Sequence, residues 1–295
     1  MSGGRMAVAL GFFDGVHRAH REVLSRARSF AGTHSMTAAA VTFDRHPAAV
    51  LAGEPERLVQ TLDDRIAALR RDGGMDEVIV LPFTDALRTM PWQDFAEKVL
   101  LGRFGAGFVS VGYDYRFGYR GEGDAEKLRQ AMEPHGVPVC VVGRIDDGDG
   151  EACGTRTLRR QIAEGQVRRA GELMGRPFSF EGEVVHGKGL GHTLGFPTMN
   201  VQLPPELVLP RPGVYVATVT IGGTVYPAVT NVSPAGLTES FVFSYSEDAY
   251  GKRIRVSLLD YVRPMRKFES LGELTAQVMS DKGTASAWFE REKTE

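Results

Sequence analysis

The sequence predicts an α/β protein in two parts: a Rossmann-like parallel sheet with helices on both faces, then a small antiparallel β-barrel with a C-terminal helix. Three observations carry this. The first half alternates short apolar runs with amphipathic stretches, as strand-helix repeats do. The second half replaces these with short alternating segments, two of them separated by Gly222-Gly223, a tight hairpin signal. The helical pattern stops at Arg176-Pro177, which places the parts at 1–175 and 176–295. At about 100–200 residues per domain, 295 residues suffice for two cores.

Taken in order, the first-half strands are "AVAL" ending at Leu10, "TAAAVTF" ending at Phe43, "EVIVLPF" ending at Phe83, "GFVSVG" ending at Gly112 and "VPVCVVG" ending at Gly143. They are apolar on both faces, as doubly covered parallel strands require. Helices are expected near 18–30, 62–72, 92–104 and 124–134, and a last stretch, 155–174, closes this half. The second-half strands are "FEGEVVHG", "GVYVATVTI", "VYPAVTNV", "SFVFSYS" and "RIRVSLLDYV", followed by a helix from about Ser270 to Phe289.

Composition narrows the function. Lys+Arg 35 against Asp+Glu 37 leaves a formal charge of -2, so no basic excess exists to neutralise a nucleic-acid backbone, and no nucleic-acid partner is expected. Cys140 and Cys153 are too few for a disulfide scaffold or a zinc site. No apolar run approaches the roughly 18–20 residues of a bilayer span, and the run from Ala7 to Leu10 is too short for a signal peptide. A cytoplasmic protein without a membrane partner is the expectation. The acidic "DDGDGE" at 146–151 lacks calcium-loop spacing and reads as a solvated turn.

Two constellations carry chemistry. In "VALGFFDGVHRAH" (8–20) a strand ends at Leu10, Gly11 and Gly15 permit tight turns, and a helix starts near His17. Backbone N–H groups at such a helix start favour phosphate. His17 and His20 share one helix face and can donate to a phosphate as charge develops. Two surface histidines on a plain strand-turn-helix would give the same spacing; a metal site lacks a third ligand nearby. In "GEVVHGKGLGHTLGFPTMNV" (182–201), Gly187, Gly189, Gly191 and Gly195 form a loop able to wrap an anion. Thr198 and Asn200 point the same way on an extended segment and offer hard oxygens suited to Mg²⁺. A β-turn would be the plainer account of the glycines alone.

The first constellation, with "VTFDRHP" (41–47), "LPFT" (81–84) and "VGYDYRFGYRGEGD" (111–124), resembles the FMN adenylyltransferase half of bacterial bifunctional FAD synthetases, a nucleotidyltransferase fold. The resemblance implies that His17 and His20 contact ATP phosphates. It also implies that Gly11, Phe13, Asp14 and Gly15 shape the nucleotide pocket, that Asp114 lies near the adenine-ribose side, and that Arg159 borders the triphosphate. The chain departs from the family at Ala19, where a glycine is usual, and in "GTRTLR", Gly154 to Arg159, where the family has Ser-Ser-Thr-x-Ile-Arg.

The second constellation resembles the riboflavin kinase signature Gly-x-x-Leu-Gly-Phe-Pro-Thr-x-Asn. "GVYVATV" (213–219), "YPAVTNV" (226–232), "TESFVF" (238–243), "YGKRIRV" (250–256) and "VRP" with "KFESLGEL" (262–274) follow in the family's order. The resemblance implies that Thr198 and Asn200 hold Mg²⁺ and ATP phosphate beside Gly187, Gly189 and Gly191, and that Glu239 is the catalytic base. His192 replaces the usual Arg or Gly, and "VSPAGLT" after Asn231 is shorter than the family's substrate-enclosing loop. Together the resemblances imply flavin cofactor synthesis, with riboflavin, FMN, FAD and ATP as small-molecule partners, Mg²⁺ as cofactor and self-association left open. The alternatives are a kinase with a degraded adenylyltransferase half, a paralogue specialised for a modified flavin or nucleotide, and a flavin-binding regulator.

Overall fold

In the computed structural model, which describes residues 5–47, 56–148, 150–187 and 197–293, the first half folds as a five-stranded sheet in the order β3-β2-β1-β4-β5. The strands are β1 (Met6–Leu10), β2 (Thr37–Phe43), β3 (Glu77–Leu81), β4 (Ala106–Gly112) and β5 (Val139–Val142). Every pairing is parallel. Alternate residues enter two cores: Val8, Leu10 and Val41 on one face, Ala7, Ala9, Ala38 and Ala40 on the other. The alanine face lets the first helix, Arg18–His34, settle closely through Leu24, Ala27 and Ala31. The opposite face is covered by Phe95, Leu100, Leu128 and Met132. The chain order reverses between β1 and β4, and ligands of open α/β sheets bind beyond the strand ends at such a point.

Three expected elements of the first half differ in detail. β3 stops at Leu81 rather than Phe83, since Pro82 has no N–H for the ladder. The 92–104 helix is α-helical only over Trp92–Asp94 and π-helical over Phe95–Arg103. The stretch 155–174 is two helices, Thr155–Ala163 and Val167–Met174, parted at Gly165. By its contacts the chain divides into one unit of 1–56 with 62–155 and another of 57–61 with 156–295, so both helices group largely with the second half.

The second unit is a six-stranded sheet in the order β6-β11-β8-β9-β10-β7, antiparallel in each pairing. Its strands are β6 (Phe178–Glu183), β7 (Met199–Gln202), β8 (Gly213–Ile221), β9 (Thr224–Val232), β10 (Leu237–Val242) and β11 (Arg253–Pro264). A bridge between Val185 and Asn200 brings the two edges together, so the sheet is a nearly closed barrel. Gly222 and Gly223 both take positive φ in the β8–β9 hairpin, as the dipeptide predicts. β6 ends at Glu183 because Val184 and Val185 turn their N–H groups to Lys252 and Asn200. β10 ends at Val242 rather than running to 246: Phe243 bonds Pro227, and Ser244 is left-handed. The segment 57–61 adds to this unit: Leu58 bridges to Leu207 by donating its N–H to the Glu206 carbonyl and accepting from the Val208 N–H. Ser270 caps the last helix, Leu271–Glu292.

Candidate active sites

The turn after β1 is wound against preference. Phe13 and Val16 take φ 58° and 41°, although neither is glycine and Val16 is β-branched. Gly11 makes room for this shape: a Cβ there would stand 2.9 Å from the Phe13 ring. Phe13, Asp14, Gly15 and His17 are all buried. His17 is the N-cap of the first helix, and its Nδ1 accepts from the His20 N–H at 3.3 Å. That bond occupies the Nδ1 lone pair and leaves the ring proton on Nε2. The His17 and His20 rings stack at 3.6 Å, and the His20 edge meets the Phe13 ring. Burial and the charge of Arg21 push His17 down to about 3. Burial, His17 and Arg65 hold His20 well below its ordinary value. The pair is therefore a set of neutral N–H donors at a helix N-terminus rather than two cations. His20 Nδ1 has no partner among the described residues.

Arg65 and Thr155 complete this turn. Arg65 is fully buried, donates Nη2 to the Phe43 carbonyl at 2.6 Å, and lies 4.0 Å over the Phe12 ring. Burial pulls its guanidinium down to about 10 against the opposing pull of Asp14 and Asp44. Thr155 Oγ1 donates to the Asp14 carbonyl at 3.0 Å, so the hydroxyl that replaces the family's second serine ties the turn. A Cβ at Gly154 would meet nothing within 4 Å, so the space for the first serine persists. Ala19 is half-buried in the first helical turn. Asp114 is exposed two residues past β4, beyond the same strand ends as the turn. Arg159 is half-buried on helix Thr155–Ala163 and groups with the second unit.

In the barrel, Asn200 on β7, Glu239 on β10 and Asn231 on β9 stand directly opposite one another. Cross-strand partners share a face, so the three side chains form one row. Asn231 Nδ2 donates to Glu239 Oε2 at 3.3 Å. Asn200 is buried with Oδ1 unpartnered among the described residues. A Cβ on Gly187 would lie 2.5 Å from Asn200 Nδ2, so the glycine is what admits this amide. Thr198 is half-buried on the same segment. Gly189, Gly191, His192 and Gly195 lie outside the described residues. Beside Glu239, Phe241 is covered by Lys282 Nζ at 5.2 Å from its ring centre. The short "VSPAGLT" segment is a tight turn, with Gly236 N–H on the Ser233 carbonyl and Leu237 N–H on Ser233 Oγ.

Sequence reading passed over Arg65 and Asn231. Arg65 falls at helical spacing from the buried Ala68 and Leu69, and a charge on an apolar stripe was its available signal. Asn231 had none, because its meaning depends on which residue faces it across the hairpin.

A backbone-lined turn with neutral N–H donors on a doubly wound sheet, and in the same chain a separate barrel carrying a carboxylate between two amides, is the architecture of a two-part enzyme of phosphorus-group transfer. Comparison narrows the class. Residues 2–156 match the FAD synthetase family and residues 174–289 the riboflavin kinase family. The Bacillus subtilis (strain 168) protein named bifunctional riboflavin kinase/FMN adenylyltransferase is 29% identical over 97% of this chain and 93% of its own. The protein of the same name in Escherichia coli (strain K12) is 32% identical over 96% and 92%. The chain belongs to this bifunctional riboflavin kinase/FMN adenylyltransferase family. A crystal structure described as a macrolide-efflux protein from Streptococcus pneumoniae shares the whole fold, with TM-score 0.88, 29% identity and coverage of 98% and 96%. Among the described residues of this chain no helix is long and apolar enough to cross a membrane.

Proposed function

We infer that this chain makes FMN from riboflavin in its barrel unit and FAD from FMN in its sheet unit, with ATP the second substrate of each. The observation that carries the reading is the match of one chain to both families in succession, each with its polar cluster assembled in the fold. We place the boundary at 175/176, close to the start of the second matched segment at 174, and the enzyme in the cytoplasm.

In the barrel, the Glu239 carboxylate takes the proton of the riboflavin 5′ hydroxyl as that oxygen bonds the γ-phosphorus of ATP. The bond from that phosphorus to the β-phosphate oxygen breaks, and ADP leaves. The buried orphan Oδ1 of Asn200, the small Gly187 beside it and the Thr198 hydroxyl fit a hard cation, so Thr198 and Asn200 would hold Mg²⁺. When bound, the ion neutralises charge on the phosphates.

In the sheet unit, an FMN phosphate oxygen attacks the α-phosphorus of ATP, and the bond to the β-phosphate breaks to release pyrophosphate. His17 and His20 donate N–H bonds to the phosphates as negative charge gathers on the leaving group. Gly11, Phe13, Asp14 and Gly15 hold the turn, and Asp114 and Arg159 are assigned to the nucleotide.

The reading is tested by incubating the protein with riboflavin, ATP and Mg²⁺ and separating the flavins by chromatography. FMN should appear first and FAD after it. Absence of both products contradicts the assignment, and FMN without FAD confines it to the barrel.

A further inference from the structure

We propose that Asn231 is the positioning residue for Glu239, fixing one carboxylate oxygen so that the other faces the substrate hydroxyl; this rests on the reading of Glu239 as base. A glutamate on a strand has three rotatable side-chain bonds, and an unrestrained carboxylate would sample many orientations. Here the carboxylate is tied at Oε2 by Asn231 Nδ2 at 3.3 Å. Among the described residues no other side chain donates to it. An ionised carboxylate only accepts, so the amide turns its nitrogen toward Glu239.

The arrangement is built into the hairpin. Asn231 and Glu239 are cross-strand partners because the β9–β10 turn closes tightly over Ser233–Gly236. On the other side of the row, Asn200 turns against Gly187 and makes no bond to the carboxylate. The two amides thus have separate tasks, one restraining the base and the other presenting an oxygen. The shortened loop supplies a restraint through register.

The test compares Asn231→Ala and Asn231→Asp, each also made in the Glu239→Ala background, with circular dichroism to check the fold. Asp keeps the shape of Asn but replaces the donor by a second carboxylate, so a packing role would make Asp the milder change. Positioning requires the reverse order. Asn231→Ala should lower kcat for FMN formation by about tenfold and Asn231→Asp by about a hundredfold, with KM for riboflavin and ATP within about twofold. In the Glu239→Ala background, assayed by long incubation, neither change should reduce the residual rate further. Asn231→Asp at the parent rate, or an effect that persists without Glu239, overturns the proposal. Should Asn231→Asp fail to fold, the Asn231→Ala cycle decides by the same criterion. A Glu239→Ala protein that keeps full kinase rate would instead remove Glu239 from its role, whatever the Asn231 variants do, and this inference with it.

Discussion

The two clusters are built by opposite means. The turn around His17 holds its shape with backbone conformations that side-chain-bearing residues avoid, at Phe13 and Val16, and with buried rings locked against each other. The row of Asn200, Glu239 and Asn231 uses ordinary strand backbone, and its geometry comes from register alone. The first should be sensitive to any change that relaxes the turn, even one that adds a methyl group. The second should tolerate backbone-neutral changes and respond to side-chain chemistry.

Glu239→Ala tests the second half of this contrast most severely. Losing a general base costs on the order of 10²–10⁴ in rate, so FMN formation should nearly cease while the fold persists. A fall of only a few-fold would show that register does not deliver the base. Gly11→Ala is the matching test in the turn. Its Cβ would stand 2.9 Å from the Phe13 ring, and displacing that ring moves His20 with it. FAD formation from FMN should fall by about 10², the cost of misplacement by an ångström, with riboflavin phosphorylation unchanged. Thr198→Ala should act more mildly, raising the Mg²⁺ and ATP needed for half-maximal FMN formation by about tenfold through loss of one hydroxyl ligand. Titration of both would check it, and unchanged dependence would reduce Thr198 to shaping its segment.

The smallest effect concerns pH. His17 is held at about 3 against an ordinary 6.5, so between those values the unfolded chain binds more protons than the folded one. Its contribution to stability is complete above about 6.5 and is lost as pH falls toward 3. Thermal unfolding followed from pH 7 to pH 4 should show a falling midpoint. His17→Asn, which keeps a good N-cap oxygen but cannot titrate, should flatten that decline. An equally steep decline in the variant would place the acid sensitivity elsewhere.

Much of this architecture was legible from the residues. The strand ends at Leu10, Phe43 and Gly112, the helix start at His17 and the glycine hairpin at Gly222-Gly223 each rest on a local rule: apolar runs, a glycine turn, a dipeptide with positive φ. What escaped is non-local. The four-residue β7 carries too few residues for a periodic signal, yet it carries Asn200. The pairing of Asn231 with Glu239 depends on how tightly Ser233–Gly236 closes, and the orphan Oδ1 of Asn200 on what Gly187 leaves open. The positive φ of Phe13 and Val16 runs against their own preferences, so no propensity argument reaches it.

The most direct test of two independent chemistries on one chain is a crossed assay of His20→Ala and Glu239→Ala, each supplied with ATP and Mg²⁺ and with either riboflavin or FMN. Removing one preorganised donor costs about 10²–10³ in rate, so His20→Ala should convert riboflavin to FMN at the parent rate and stop there. Glu239→Ala should leave riboflavin nearly untouched and still convert supplied FMN to FAD. FAD made at full rate by the His20→Ala protein, or either substitution abolishing both conversions, would contradict the account.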